Sequence, residues 1–73
     1  MSKFDFQARL EDSISSVLYS VPYVARTIER AQQAYDAGND SAASDALEDA
    51  AAMLDAAGEG WAADKVRYYM RFM

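Results

Sequence analysis

From Leu10 onward the apolar residues recur at alternating steps of four and three: Leu10, Ile14, Val17, Val21, Val24, Ile28, Ala31 and Tyr35. At 3.6 residues per turn, positions three and four apart fall on the same side of an α-helix. A half-buried strand would need alternation at every second residue instead. Leu18 and Ala25 widen the stripe into a heptad seam. A seam of this length needs a matching apolar surface, so the chain must fold as packed helices.

Pro22 interrupts the seam. In a helix interior proline lacks the amide donor and clashes one turn back, at a cost of about 3 kcal/mol. Two outcomes are open. Pro22 can be the first residue of a second helix, capped by Ser20 or Val21, where a missing N–H costs nothing. Alternatively, one long helix runs from about residue 3 to residue 36, kinked at Pro22, because the heptad phase continues across the proline. The second outcome would leave part of the seam without an intrachain partner and would favour a homodimer. At the start of the chain, Ser2 can cap the first helix, with Asp5 closing a capping box and Met1 stapling onto Phe6.

Gly38 supplies the left-handed residue that ends a helix, and Asn39 or Asp40 caps the next. The third helix, about 41–57, has a face of mostly small residues: Ala43, Ala46, Leu47, Ala50, Met53, Leu54 and Ala57. Small faces let helix axes approach closely. Gly58 and Gly60 separate it from a closing helix, about 61–73, where Lys65, Arg67 and Arg71 accompany Trp61, Val66, Tyr68, Tyr69, Met70, Phe72 and Met73. Val66, Tyr69, Met70 and Met73 share one face, with Trp61, Tyr68 and Phe72 on a neighbouring one. A helix apolar on two faces has two neighbours, either both within the domain or one from a partner.

The spacing Ala34, Gly38-Asn39, Ala43, Leu47, Ala50 resembles the core of a tetratricopeptide-type helical hairpin, in which a Gly-Asp/Asn turn precedes small and large apolar positions. The likeness covers about 20 residues, and Asp40 stands where that family usually has an aromatic. It implies a tight antiparallel hairpin and assigns no binding residue. The expected architecture is therefore all-α: a compact bundle of three or four antiparallel helices, at about 3–20, 22–37, 41–57 and 61–73, with a tetratricopeptide-like central hairpin.

The chemistry-bearing residues are few. The chain has 73 residues, no Cys and no His, so neither disulfides nor the usual metal ligands can staple a domain near the lower size limit for an independent core. Nucleophile-and-base pairs are missing, and Ser13, Ser15, Ser16 and Ser20 have no evident activating partner. A calcium loop started at Asp36 would place Ser41 where glycine is needed and Leu47 where a bidentate carboxylate should stand. The expectation is a non-catalytic protein without cofactor or metal. With 52% apolar residues, no long apolar run, Ser at position 2 and no signal-like opening, it is expected to be folded, off the membrane and cytoplasmic.

Charge is what remains. Residues 31–64 hold eight carboxylates and no base. The rest of the chain holds four acids and seven bases, so the net charge of −5 is unevenly distributed. Such an acidic hairpin repels phosphate, so it is not expected to bind nucleic acid directly. Its carboxylates, Asp45, Glu48, Asp49, Asp55 and Glu59, form one candidate surface, suited to a partner protein with a basic surface. Residues three or four apart on a helix lie about 5–6 Å apart, near the spacing of phosphates on a strand, so the same face could mimic a nucleic acid. The second candidate surface is aromatic: Trp61, Tyr68, Arg71 and Phe72, the residue types that anchor protein interfaces. Stacking on these rings would also suit single-stranded nucleic acid or an anionic surface. The leading expectation is a small acidic protein-binding module, an inhibitor or adaptor of a larger bacterial or phage-targeted machine. The alternatives are the mimic and a structural subunit docking through its closing helix.

Overall fold

A computed structural model describes residues 4–72. Among these residues the chain is all-helical, with five helices: α1 (Phe6–Ser13), α2 (Ser15–Ser20), α3 (Pro22–Asp36), α4 (Asp40–Ala56) and α5 (Gly60–Met70). The expected cap at Ser2, the staple from Met1 and the placement of Met73 lie outside the described residues.

The first helix starts later than the expected residue 3. Phe4 and Asp5 are not helical, and the Asp5 carboxylate accepts a hydrogen bond from the Ala8 amide at 3.0 Å, capping α1 at Phe6. The expected helix over 3–20 is also two helices, because Ile14 leaves helical geometry at φ −122°, ψ 28°. Immediately before it, the Ser13 hydroxyl donates to the Arg9 carbonyl at 2.7 Å, a back-bond that competes with the backbone ladder and bends helices. The joint leaves no backbone group stranded. Ile14 N–H still donates to the Leu10 carbonyl at 2.9 Å, and the Ile14 carbonyl accepts from Leu18 N–H at 3.1 Å.

Pro22 is the first residue of α3, where its missing donor is no loss. Val21 before it is extended (φ −131°, ψ 71°), as the steric demand of the proline ring requires. Leu10, Ile14, Val17, Val21, Val24, Ile28 and Ala31 are all buried despite both joints, and Tyr35 packs partly buried against them. The seam thus outlasts the helix that it predicted, because each joint bends the axis while keeping the same side inward.

Two identical turns then fold the chain back on itself. At the end of α3, Gly38 takes φ +85°, its N–H donates to the Tyr35 carbonyl at 3.0 Å, and Asn39 N–H donates to the Ala34 carbonyl at 2.8 Å. At the end of α4, Gly58 takes φ +77°, its N–H donates to the Asp55 carbonyl at 3.0 Å, and Glu59 N–H donates to the Leu54 carbonyl at 2.8 Å. Both are Schellman closures that satisfy the last orphan carbonyls of a helix. The Asn39 side chain caps α4 by accepting from the Ala42 amide at 3.1 Å.

α4 is consequently packed on both sides, by α3 and by α5. Ala43, Leu47, Ala50, Ala51 and Leu54 are fully buried, and Ala51 joins this face because α5 covers it. Ala57, expected inside, is exposed because it ends the helix as its C-cap. From α5 come Ala62, Ala63 and Val66. The radius of gyration, 11.0 Å, is the value expected of a fully packed chain of this length, so the short α1 and α2 share this core.

One buried polar side chain ties the beginning of the chain to α3. Gln32 is 6% exposed. Its Oε1 accepts from the Gln7 amide at 2.9 Å, and its Nε2 donates to the Phe4 carbonyl at 3.2 Å and to Asp36 Oδ1 at 2.9 Å. The Gln7 amide is one of the first-turn donors that α1 cannot satisfy from its own backbone, and the Phe4 carbonyl belongs to its lead-in.

Candidate functional site

The closing helix divides its residues by angle. Ala62, Ala63 and Val66 take the buried side, which turns Trp61, Asp64, Lys65 and Tyr68 outward along one stripe, continued by Phe72 in the turn after Met70. The helix therefore ends short of the expected residue 73, and Arg71 and Phe72 lie beyond its last helical residue. Trp61, Tyr68 and Phe72 are 47%, 51% and 54% exposed. A half-exposed large ring is an unfinished contact, because the buried half fixes it and the open half still faces water.

The rings are held in place from below. Tyr68 lies 5.4 Å from Phe72 and 5.4 Å from Tyr69, both edge-on. Phe4 backs the group at 5.7 Å from Phe72 and 5.9 Å from Tyr69, with the Arg9 guanidinium 5.3 Å above its own ring. Phe4 is in turn positioned by Gln32 through its carbonyl. At the other end, Trp61 Nε1 donates to Glu59 Oε1 at 2.9 Å, which orients the indole. Between the two ends, Ser13, Trp61, Asp64, Lys65, Tyr68 and Tyr69 line an open groove of about 470 Å³.

The acidic candidates differ in what they touch. Because α5 runs back along α4, Arg67 reaches Asp55 at 2.9 Å and Glu48 at 3.5 Å. The hydrogen bond that Arg67 donates to Asp55 is the chief reason that its guanidinium is held above its ordinary pKa. Glu59 sits in the turn and is engaged by Trp61. Asp45 and Asp49 alone remain exposed with no ion pair among the described residues. The five carboxylates are thus split three ways, while Trp61, Tyr68 and Phe72 share one stripe, with Arg71 exposed at its end.

Other exposed features escaped the sequence reading. Tyr19 is 95% exposed and Tyr23 51% exposed, both off the seam that buries Val17, Val21 and Val24, and that off-seam position was the available signal. Asp64 and Lys65 belong to the groove because they lie between Trp61 and Tyr68 on the helix. Among the described residues no group of carboxylates is placed to hold a metal ion, and no helix is long and apolar enough to cross a membrane. No family model, curated protein or solved structure matches the chain.

Proposed function

We propose that this chain is a non-catalytic protein-binding module whose contact surface is the aromatic stripe of α5, the docking role first considered for the closing helix. The observation that carries this reading is the joint half-exposure of Trp61 and Tyr68, which line a groove, and of Phe72 just beyond, along a helix whose opposite side already completes the core. Large amphipathic rings fixed in place before binding lose little entropy on association, which is why Trp and Tyr dominate interface energetics. The neutralisation of Glu48 and Asp55 by Arg67 weakens the case for the acidic face, and with it the nucleic-acid mimic. The tetratricopeptide-like hairpin of α3 and α4 then serves as scaffold and presents α5 on its outer edge.

The test compares two sets of variants that leave the core intact. Trp61→Ala and Phe72→Ala should each weaken association by about 2 kcal/mol or more with little salt dependence. Asp45→Asn, Glu48→Gln and Asp49→Asn together should leave it nearly unchanged. Far-ultraviolet circular dichroism confirms that each variant is folded, and Trp61, the sole tryptophan, reports contact by a blue shift of its emission. Association abolished by the triple acidic variant and indifferent to Trp61→Ala would reverse the assignment.

A further inference from the structure

Asp64 and Lys65 stand in the middle of the aromatic stripe, both exposed, and neither has an ion pair among the described residues. They cannot pair with each other along the helix, because adjacent residues diverge by about 100° around the axis. An acid and a base left open between anchor rings, on a surface with otherwise few charges, call for a partner carrying the same two charges in complementary positions. The chain itself is such a partner.

The spacing defines the geometry. Trp61, Lys65, Tyr68 and Phe72 follow one another at four, three and four residues, the interval of a coiled-coil seam, with Asp64 flanking it. In a parallel pairing of two such helices, a side chain at the position of Lys65 enters a hole formed by four residues of the facing helix. Those four would be the partner's Trp61, Asp64, Lys65 and Tyr68, which are four of the six residues lining the groove. Each Lys65 then faces the partner's Lys65 across the two-fold axis with the partner's Asp64 beside it, so the two lysines are flanked by two carboxylates, and Trp61 and Tyr68 likewise face their own counterparts. An antiparallel pairing centred on Lys65 would set Lys65 beside the partner's Lys65 and Asp64 beside the partner's Asp64 without the crossed Asp64–Lys65 contacts that offset the repulsion. The charges thus select the parallel arrangement.

We infer that the α5 stripe is closed by a second copy of this chain, in a parallel two-fold dimer registered by Asp64–Lys65 pairs. This rests on the reading of α5 as the contact surface and names its occupant. The seam is only about three turns long and carries a lysine within it, a residue that sets register at a cost in stability, so the dimer is weak and concentration-dependent.

Sedimentation of the full chain up to hundreds of micromolar, with charge-swap variants at exposed positions, tests this. The wild type should approach twice its 8.1 kDa mass at the upper concentrations. Asp64→Lys and Lys65→Asp should each raise the dissociation constant at least about tenfold, and the double swap should largely restore it. A mixture of the two single variants should form heterodimers. Tyr68→Cys, in a chain without any cysteine, should cross-link to its own counterpart on oxidation, which a parallel register permits and an antiparallel one does not. A wild type that remains monomeric throughout overturns the inference, as does a dimer indifferent to both single swaps. If the chain stays monomeric while Trp61→Ala abolishes contact with a different protein, the second copy is excluded and the α5 surface stands.

Discussion

Gln32→Leu should destabilise the protein more than any other single polar substitution, and the structure sets the size of the effect. The leucine has nearly the same volume, so no large cavity forms. What is lost is three hydrogen bonds: from the Gln7 amide at 2.9 Å, to the Phe4 carbonyl at 3.2 Å and to Asp36 Oδ1 at 2.9 Å. Each such bond contributes about 1 kcal/mol net, and a buried partner left unsatisfied costs about 1–3 kcal/mol. Asp36 is exposed and rehydrates freely. The Gln7 amide and Phe4 carbonyl are partly buried and rehydrate only if the lead-in to α1 shifts. Weighing the added apolar burial of leucine against these losses leaves a net destabilisation of about 2–3 kcal/mol. A chain of this length has roughly 4–11 kcal/mol in total, so the loss is a large fraction.

Thermal unfolding followed by far-ultraviolet circular dichroism and by Trp61 emission reads this directly. A domain of this size loses about 4–8 °C per kcal/mol, so the midpoint should fall by about 10–20 °C. Gln32→Glu keeps the acceptor for the Gln7 amide but loses both donated bonds and places a second carboxylate beside Asp36. Its loss should be comparable at neutral pH. A midpoint within about 3 °C of wild type for Gln32→Leu would refute the claim that this clasp fixes the start of the chain.

Two further outcomes bear on the core and on the chain's joints. Leu47→Asp places an unpaired carboxylate at a fully buried position between α3 and α5, at a cost of several kcal/mol on top of the lost leucine burial, and should leave the chain unfolded at room temperature; a cooperative melt with native-like helicity would contradict the packing of α4. Pro22→Ala, at an exposed first helical position, should change stability by less than about 1 kcal/mol, most of it from added freedom in the unfolded chain, whereas a rise approaching 3 kcal/mol in denaturant titration would mean that Pro22 strains a continuous helix.

The parts of the fold visible in the sequence are those encoded by periodicity and by glycine. Leu10 through Ala31 could be read as one buried seam because burial depends on the side each residue faces. The two Schellman turns could be read because Gly38 and Gly58 supply backbone that other residues avoid. The break at Ile14 was not legible. It coincides with the bond from the Ser13 hydroxyl to the Arg9 carbonyl, but the same bond from Thr27 to the Tyr23 carbonyl leaves α3 unbroken, so nothing in the residue types singles the position out. The ion pairing within the acidic face was hidden for a similar reason. Counting carboxylates along α4 ignores the arginine that arrives from another helix, and Arg67 meets Glu48 and Asp55 only because the Gly58 turn sends α5 back along α4. The sequence does not single out Gln32, since two of its partners, Gln7 and Phe4, lie some 25 residues or more away in the chain and the third is Asp36 one turn on.

The exposure of the aromatic rings follows from the same packing. Ala43, Ala50 and Ala51 of α4 and Ala62 and Ala63 of α5 are all fully buried, and packing built on alanine brings helix axes close while leaving no hollow for a ring. Phe6 is the aromatic that the core fully accepts, at the end where α1 meets α3 and Tyr35 lies edge-on 5.7 Å away. The remaining rings are pushed to the rim, and Tyr19 is 95% exposed, so exposure alone does not set the α5 stripe apart. What separates the α5 stripe from Tyr19 and Tyr23 is preorganisation. Trp61 is held by Glu59, and Tyr68 and Phe72 are braced by Tyr69 and Phe4, with Arg9 stacked behind. Phe4 is held in turn by Gln32, so the clasp that anchors the start of the chain also sets the floor of the proposed contact surface. Loosening Gln32 should therefore disturb association through α5 before it unfolds the domain, because the rings lose their support while Leu47 and Leu54 keep the core closed.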